Sequence, residues 1–555
     1  MKQLKSLLLI TTLLLTLVPT AFASGAKESK AVITYNTEDT NESEYTAVKT
    51  NNIKVEGFYN STADTKVTLA GRYNSKAMNA DGGSLEIVAY NQSNGFAYVV
   101  SGLKGKLVSV NLNEKLESED VTNLQGVEYD VKSLVSGFSY GDMTSVAISP
   151  NGEKLAIVIQ AENYSDAGIV ALFECKNDGS LSLLSTTFVG VQPDMVIFQD
   201  ESIILTANEG EPREGKEGVD PKGSVSIVSI GEDYTLTTSN VTFDAFDDKR
   251  SSLIEAGVLI QKESKPSTDF EPEYIAVNGE KAYVTLQETN AVAVLDIPSK
   301  QFEGVYPLGF QDYSQIKVDL QKNDKIELKN YENVYGIKMP DGIAAITIDG
   351  KTYILTANEG DSRSDWPLLD NEVEGQTSPT GNVTLDEEVV WFNASAWDGL
   401  DESKAYIFGG RSFSIYLVEE NGLKLVYDSG SEFESLTAEV LPQYFNCSND
   451  KISLDNRSGK KGVEAESITT GVVNGKTYAF IALERIGGIM IYDISDPNNV
   501  TFENYINSRE FEDKIQGDVS PEGLYFISQE ESKSGKAELL AACEVSGTLA
   551  LYELQ

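Results

Sequence analysis

The sequence predicts an all-β fold, a seven-bladed β-propeller with long loops on one face, and three features carry that expectation. One motif recurs from about Leu85 to the end of the chain: an acidic residue, a short apolar strand, a turn, a second strand ending in an acidic residue, and a third alternating strand. Its copies begin near Leu85, Asp142, Asp194, Glu271, Asp341, Glu466 and Glu522. Helical periodicity is scarce. Repeated four-stranded units of this kind build propellers. A pair of β-sandwiches also offers many short strands, but sandwich strands have no reason to restate one polar residue at one structural position.

In chain order, Lys2 and Lys5 precede an apolar run from Leu7 to Val18, and Ala21-Phe22-Ala23 supplies a small-x-small cleavage pattern. That predicts a signal peptide over residues 1–23, because the run is too short for the roughly 20 apolar residues of a membrane span. Residues 24–50 are polar and are expected to form a leader or to close the ring against the last blade. Residues 51–555 then form a single propeller domain. The clearest copy reads Glu271-Pro272-Glu273-Tyr274-Ile275-Ala276-Val277, the turn Asn278-Gly279, a second strand to Glu288, and a third from Ala291 to Ile297. Asn-Gly between alternating runs signals a hairpin. The one helical candidate is Asp248 to Lys262, with Leu253, Ala256 and Ile260 on one face. The C-terminus shows no anchor, so none is expected to remain after signal cleavage.

Composition removes whole function classes. The 555 residues include 86 acidic and 44 basic ones, a net charge of −42, and such a field repels nucleic acid while concentrating cations. There is no His, which excludes His-based nucleophile systems and His-ligated metal. Cys175, Cys447 and Cys543 are too few and too dispersed for a disulfide framework and read as small buried residues.

The acids of the motif are the candidate site. Asp142, Asp194, Glu273, Asp341, Glu466 and Glu522 open first strands, and Glu162, Glu209, Glu288, Glu359, Glu484 and Glu544 close second strands. The two strands are antiparallel, so both rows lie at one edge of each sheet, the first around the central channel and the second just outside it. The insertions Glu211–Gly223, Asp361–Lys404 and Ser431–Val463 fall on that face. Like charges so crowded raise one another's pKa, and Arg213, Arg363, Arg411 and Arg485 are candidates for salt bridges or for holding an anion. Oxygen ligands without His or clustered Cys suit Ca²⁺. The near-identical strings from Ile203 to Arg213 and from Ile354 to Arg363 combine Asn, acids and a glycine turn, and read either as strand-end turns or as cation loops.

Those strings resemble the choice-of-anchor I family, together with Gln192-Pro193-Asp194-Met195-Val196, the Glu271 segment, Asp341-Gly342-Ile343-Ala344, Gly409-Gly410-Arg411-Ser412-Phe413-Ser414-Ile415 and Pro521-Glu522-Gly523-Leu524. The resemblance covers about residues 80–555. It implies a YVTN-like propeller, secretion or surface display and, as in the mesenchyme-specific cell-surface glycoproteins of that family, a link to calcium mineral; it supplies no catalytic residue. The chain departs from the pattern at Val463-Glu464-Ala465-Glu466, which lacks the usual proline, and in having no C-terminal anchor. The expected function is therefore a secreted or surface-displayed, non-enzymatic binding module. Its carboxylate face would take calcium and, through it or beside it, a cell-wall polymer, mineral or surface protein. The alternative is a calcium-dependent phosphoesterase on the same face.

Overall fold

The computed structural model describes residues 65–113, 122–213, 219–361, 363 and 371–555, and the backbone of the strands Ser43–Thr50 and Ile53–Asn60. The expected signal peptide lies outside the described residues. The chain is all-β and of propeller type, built from sheets that each run as an antiparallel meander. In chain order the four-strand meanders are Val88–Asn91, Phe96–Ser101, Lys106–Asn111 and Gly126–Asp130; Tyr140–Ile148, Lys154–Ala161, Ala167–Cys175 and Leu181–Val191; and Pro193–Phe198, Ile203–Asn208, Ser224–Ile230 and Leu236–Thr242. The fourth is Pro272–Asn278, Lys281–Leu286, Ala291–Asp296 and Gln301–Pro307, and the fifth Ile343–Ile348, Lys351–Asn358, Ser412–Glu419 and Gly422–Asp428. The sixth is Ala465–Val473, Lys476–Leu483, Ile489–Asp493 and Thr501–Asn507. In the seventh, Pro521–Ile527, Ala537–Cys543 and Thr548–Leu554 are completed by Val67–Asn74 from the other end of the chain. Each first strand packs against the first strand of the next sheet, and that of the seventh packs against that of the first.

Burial follows from this stacking. Second and third strands are covered on both faces by neighbouring sheets, so they read as continuous apolar runs; Lys281–Leu286 and Ala291–Asp296 are buried at all but their terminal Lys281 and Asp296. Outer strands meet water and alternate or turn polar, as in Leu236–Thr242. Between the fifth and sixth sheets the core is aromatic, with Phe413 4.8 Å from Tyr492 and stacked 6.1 Å from Phe433 of the helix Glu432–Val440.

Several details differ from the sequence expectation. The helix is shorter, Arg250–Ala256, because Gly257 takes a left-handed φ of 105° and ends it; Ile260 then belongs to a short strand. The seventh sheet is completed by Val67–Asn74, whereas Ser43–Thr50 pairs with Ile53–Asn60, which extends the sixth sheet at Thr501–Asn507. The insertion after the second strand of the fifth sheet is not simply loop. Its strands Glu372–Thr377, Thr384–Phe392 and Ala405–Phe408 join Phe310–Asp312 and Val334–Ile337 in a separate five-stranded sheet. Cys447 and Cys543 are buried, Cys175 is partly buried, and all three are free thiols.

The Asn of the two repeated strings is a staple rather than a cation ligand. Asn208 Nδ2 donates to Ser226 Oγ (2.9 Å) and to the Ser224 carbonyl (3.0 Å), while Thr206 Oγ1 donates to its Oδ1 (2.8 Å). Asn358 repeats this with Ser412, Ser414 and Thr356. In both cases the amide ties the second strand to the third at the edge where the acids emerge.

The closing strand is latched by charge. Arg72 Nε lies 2.8 Å from Asp518 Oδ1 and its Nη2 2.5 Å from Oδ2, with both side chains almost fully buried. Thr548 and Ser508 also donate to Asp518. Removing one partner of a buried ion pair leaves the other desolvated and costs about 3–5 kcal/mol. Arg72→Met is expected to destabilise the domain by about that amount, read as a lowered denaturant midpoint, and an unchanged midpoint would show that the latch is redundant.

Candidate functional site

The first strands begin with a shared irregularity. Two residues ahead of the acid, the backbone is left-handed in four sheets, with φ of 49° at Gln192, 46° at Met339, 52° at Glu464 and 61° at Ser520, a conformation uncommon for residues other than glycine. The carbonyls there accept hydrogen bonds from the backbone N–H of Glu209 (2.9 Å), Gly360 (3.1 Å), Glu484 (2.8 Å) and Glu544 (2.9 Å). This clamps the end of each second strand beside the start of the first. The pairing register then slips at the acid itself: between Pro193 and Met195, Pro272 and Ile275, Ala465 and Ile468, and Pro521 and Gly523. A bulge re-aims a side chain, and these free Asp194, Glu273, Glu466 and Glu522 from the strict alternation of their strands.

The acids converge. Glu273 is held well above the usual carboxylate range by burial and then by Glu209, Glu288, Asp194 and Asp341. For Glu522 the causes after burial are Glu544, Glu86, Asp341 and Asp194, and for Glu466 they are Glu359, Asp341, Glu484 and Glu522. Burial is also the leading cause for Glu209, Asp341, Glu359, Glu484 and Glu544, all of which are raised. Asp194 is pushed up to about 6 and Glu288 to about 7, again first by burial. Tyr274 is raised by burial and then by Asp341, Glu522, Asp194 and Glu466, which places its hydroxyl among acids from four sheets. Tyr274 also lines a cavity of about 420 Å³ walled by the first strands of all seven sheets.

The sequence reading omitted one member. Glu86, ahead of the first strand of the first sheet, is pushed up to about 8 by burial, Asp142 and Glu544. Its sheet has no second-row acid because Gly102 stands near that place: a Cβ there would lie 2.9 Å from both Glu86 Oε2 and Asp142 Oδ1. The motif was therefore half present, and Ser84-Leu85-Glu86-Ile87 alone was its signal. Asp142 is raised by partial desolvation as well, although its side chain is exposed at the edge of the group. Glu162 does not join the group; it is exposed.

Arg213 and Arg485 form salt bridges with second-row acids, one of the two readings the sequence offered, whereas Arg363 and Arg411 have their main partners elsewhere. Arg213 pairs with Glu211 and, at 3.9 Å, with Glu209. Arg485 Nη1 lies 2.6 Å from Glu484 Oε1, and its Nε 2.8 Å from Glu464 Oε2. Arg363 is buried between Asp269 (2.8 Å) and Glu271 (2.7 Å), over the Trp397 ring, so it holds the segment ahead of Glu273, and its charge also opposes the rise of the second-row Glu288. Arg411 does not reach the rim: it pairs with Glu434 at 2.6 Å and donates to the carbonyls of Asp319, Ser458 and Lys460, because the Ser431–Val463 insertion and the segment around Asp319 wrap around it. The unforeseen cation is Lys461, 2.5 Å from Glu359 Oε1, 3.2 Å from Asp361 and 3.3 Å from Glu464.

Unanswered oxygens remain. Oε2 of Glu86, Glu288, Glu466 and Glu522 is buried without a hydrogen-bond partner. Glu359, Glu466 and Glu484 each offer one carboxylate oxygen, all within 4.8 Å of one another, a spacing that one oxygen-loving cation can bridge. Among the described residues no helix is long and apolar enough to cross a membrane.

The chain is similar to parts of known proteins. The chain is 26% identical over 295 residues to the mesenchyme-specific cell surface glycoprotein of Strongylocentrotus purpuratus, a match covering 45% of this chain and 36% of that protein. It is 26% identical over 167 residues to Gigasin-3a of Magallana gigas, covering 27% of this chain and 58% of that one. The chain thus spans between about a third and somewhat over half of these relatives' lengths. Solved structures with a similar trace include U3-55K, at 9% identity and a TM-score of 0.44 over 89% of this chain and 99% of that one, and the β-propeller domain of Cps50 (Swd1) from Myceliophteria thermophila, at 8% and 0.41 over 88% and 98%. The profile of the Choice-of-anchor I domain matches residues 86–497, from Glu86 at the mouth through the third strand of the sixth sheet. The chain belongs to the choice-of-anchor I domain family.

Proposed function

We propose that the seven four-strand meanders are blades of one propeller, and that the protein is a secreted or surface-displayed, non-enzymatic binding module whose carboxylate mouth takes Ca²⁺. Through the ion it would hold a mineral, cell-wall polymer or surface protein. The observation that carries the reading is the set of buried, unpartnered carboxylate oxygens on Glu86, Glu288, Glu466 and Glu522. Desolvated like charges are unfavourable unless protonated or met by a cation, and an oxygen-only donor set favours a hard divalent ion. The surface glycoprotein name of one relative supports the location. Against the phosphoesterase alternative stand the cations it would use on phosphate: Arg213, Arg363, Arg485 and Lys461 are each already bonded to carboxylates.

An acid with a raised folded pKa binds its proton more tightly in the fold than in the unfolded chain. Its stabilisation is complete below the unfolded value of about 4 and is lost as pH rises through the folded one. For Asp194, Glu288 and Glu86 that loss spans from about 4 up to about 6, 7 and 8 respectively. In chelator the melting temperature is therefore expected to fall between pH 5 and pH 8.5. Millimolar Ca²⁺ should restore much of it at the upper pH, since an ion bound only by the native state stabilises it by mass action. A melting temperature indifferent to calcium across this range would refute the proposal. With p-nitrophenyl phosphate, no calcium-dependent turnover is expected; turnover abolished by Glu209→Gln would reinstate the phosphoesterase reading.

A further inference from the structure

A cleft of about 1290 Å³ opens where the two ends of the chain meet, larger than the roughly 300–1,000 Å³ of small-molecule pockets. Its walls are the end of the closing strand and the segment after it, from Arg72 to Ala80, with Asn123 to Gly126, the hairpin of Arg509–Phe511 and Ile515–Gly517, and the turn at Ser546 to Thr548. The segment after the closing strand is riveted to that turn. Ser75 N–H donates to the Gly547 carbonyl (2.9 Å) and Asn79 N–H to that of Val545 (3.1 Å). Gly547 has to be glycine, since its φ is 64° and a Cβ would overlap the Ala77 carbonyl oxygen. The same segment then reaches the mouth, where Gly83 N–H donates to Glu544 Oε2 (3.3 Å). The cleft is thus a neighbour of the mouth, yet none of the mouth's acids lines it.

Two side chains in the wall are more than nine-tenths buried and still have a polar group to spare. Arg72 is 6% exposed. Asp518 takes its Nε and Nη2, and the Ser508 carbonyl shares Nη2 at 3.4 Å, while Nη1 has no partner among the described residues and is not sealed from solvent. Tyr73 is 8% exposed, its ring filling the space that a Cβ on Gly126 would need, and its hydroxyl is likewise unpartnered and open. Both residues line the cleft.

The chemistry around them is mixed. The wall carries Lys76 and Lys514 together with Asp450, Glu510 and Asp513, and the amides of Asn74, Gln125 and Gln516. A polyanion meets those three acids and the chain's net charge of −42; a polycation meets two ammonium groups and a guanidinium. Sugar hydroxyls each donate and accept, so they satisfy carboxylates, amides and cationic donors alike without carrying charge. A peptide would draw on open strand edges or a row of apolar pockets. The non-aromatic apolar residues of the wall are Met78, Ala80, Leu124 and Ile515, and Leu124 is already part of the core. We infer that this cleft binds an uncharged polysaccharide chain, with Arg72 Nη1 and the Tyr73 hydroxyl as its innermost contacts. The inference goes beyond the calcium reading and does not depend on it.

The test is an array of neutral, uronate-bearing and sulfated glycans, with extended peptides as a further set, probed with the full secreted chain in chelator. The best neutral oligosaccharide is then titrated calorimetrically. Binding is expected on neutral glycans, with an affinity that changes less than about twofold between low salt and ~0.5 M NaCl, because an uncharged ligand is not screened. Tyr73→Phe and Gln516→Ala each remove one hydrogen-bonding group and are expected to weaken it about three- to tenfold. Neither group has a partner among the described residues, so both variants should melt with wild type. If Tyr73→Phe is destabilised, Gln516→Ala, exposed on its hairpin, decides. The inference is overturned by no binding to neutral glycans, by retention on charged glycans or peptides alone, or by variants that bind as wild type does. Binding that is lost in chelator and restored by Ca²⁺ puts the ligand at the mouth; this inference then falls while the calcium reading stands. Neutral-glycan binding by a chain that takes up no calcium has the opposite outcome.

Discussion

Carboxylates repel one another, and the repulsion grows as water is withdrawn from between them. Everything at the mouth follows from placing acids of seven sheets where their neighbours are other acids. Burial leads every upward shift, and at Glu273, Glu466 and Glu522 the next causes are other carboxylates, several of them from adjoining sheets. Such an arrangement is stable only if protons, tethered cations or a bound ion supply positive charge. The chain supplies part of it: Arg213, Arg485 and Lys461 each neutralise one edge. The oxygens left over define where a ligand would be welcome.

The scaffold makes that crowding tolerable. Left-handed residues ahead of the acids, bulges at them, and clamps between first and second strands fix the acids before any charge is considered. The Asn staples at 208 and 358 do the same at the next strand. Strain held by a surrounding framework is typical of functional sites. Arg411, buried on Glu434, holds the Ser431–Val463 insertion, and Arg363, buried on Asp269 and Glu271, holds the approach to Glu273.

The sheets and both acid rows were legible because they are local: a strand, a turn and a repeated acid occupy consecutive residues. Every start named from the pattern falls within an observed first strand or at most three residues ahead of one, as with Leu85 ahead of Val88–Asn91 and Asp341 ahead of Ile343–Ile348. What failed to show was set by distant partners. Arg411 lies beside rim residues in sequence, yet its partners Glu434, Ser458 and Lys460 come from 23 to 49 residues further along. Lys461 sits in a Gly-Lys-Lys-Gly stretch with no motif, and only the fold brings it to Glu359. Asn208 looked like a ligand because its neighbours are acids; its amide instead faces serines on the adjacent strand. Glu86 was missed because its sheet replaces the second acid with a glycine.

The seventh sheet joins Val67–Asn74 to Thr548–Leu554, residues almost the whole length of the chain apart. Contacts of such long sequence separation are slow to form, and on a ribosome the first of these strands is made long before its partner exists. During that interval the early strand has an open edge, the condition that invites pairing with the wrong chain. Completion of the seventh sheet is thereby deferred until synthesis has run through Leu554, so for most of its time on the ribosome the growing polypeptide lacks both this pairing and the buried Arg72–Asp518 contact beside it.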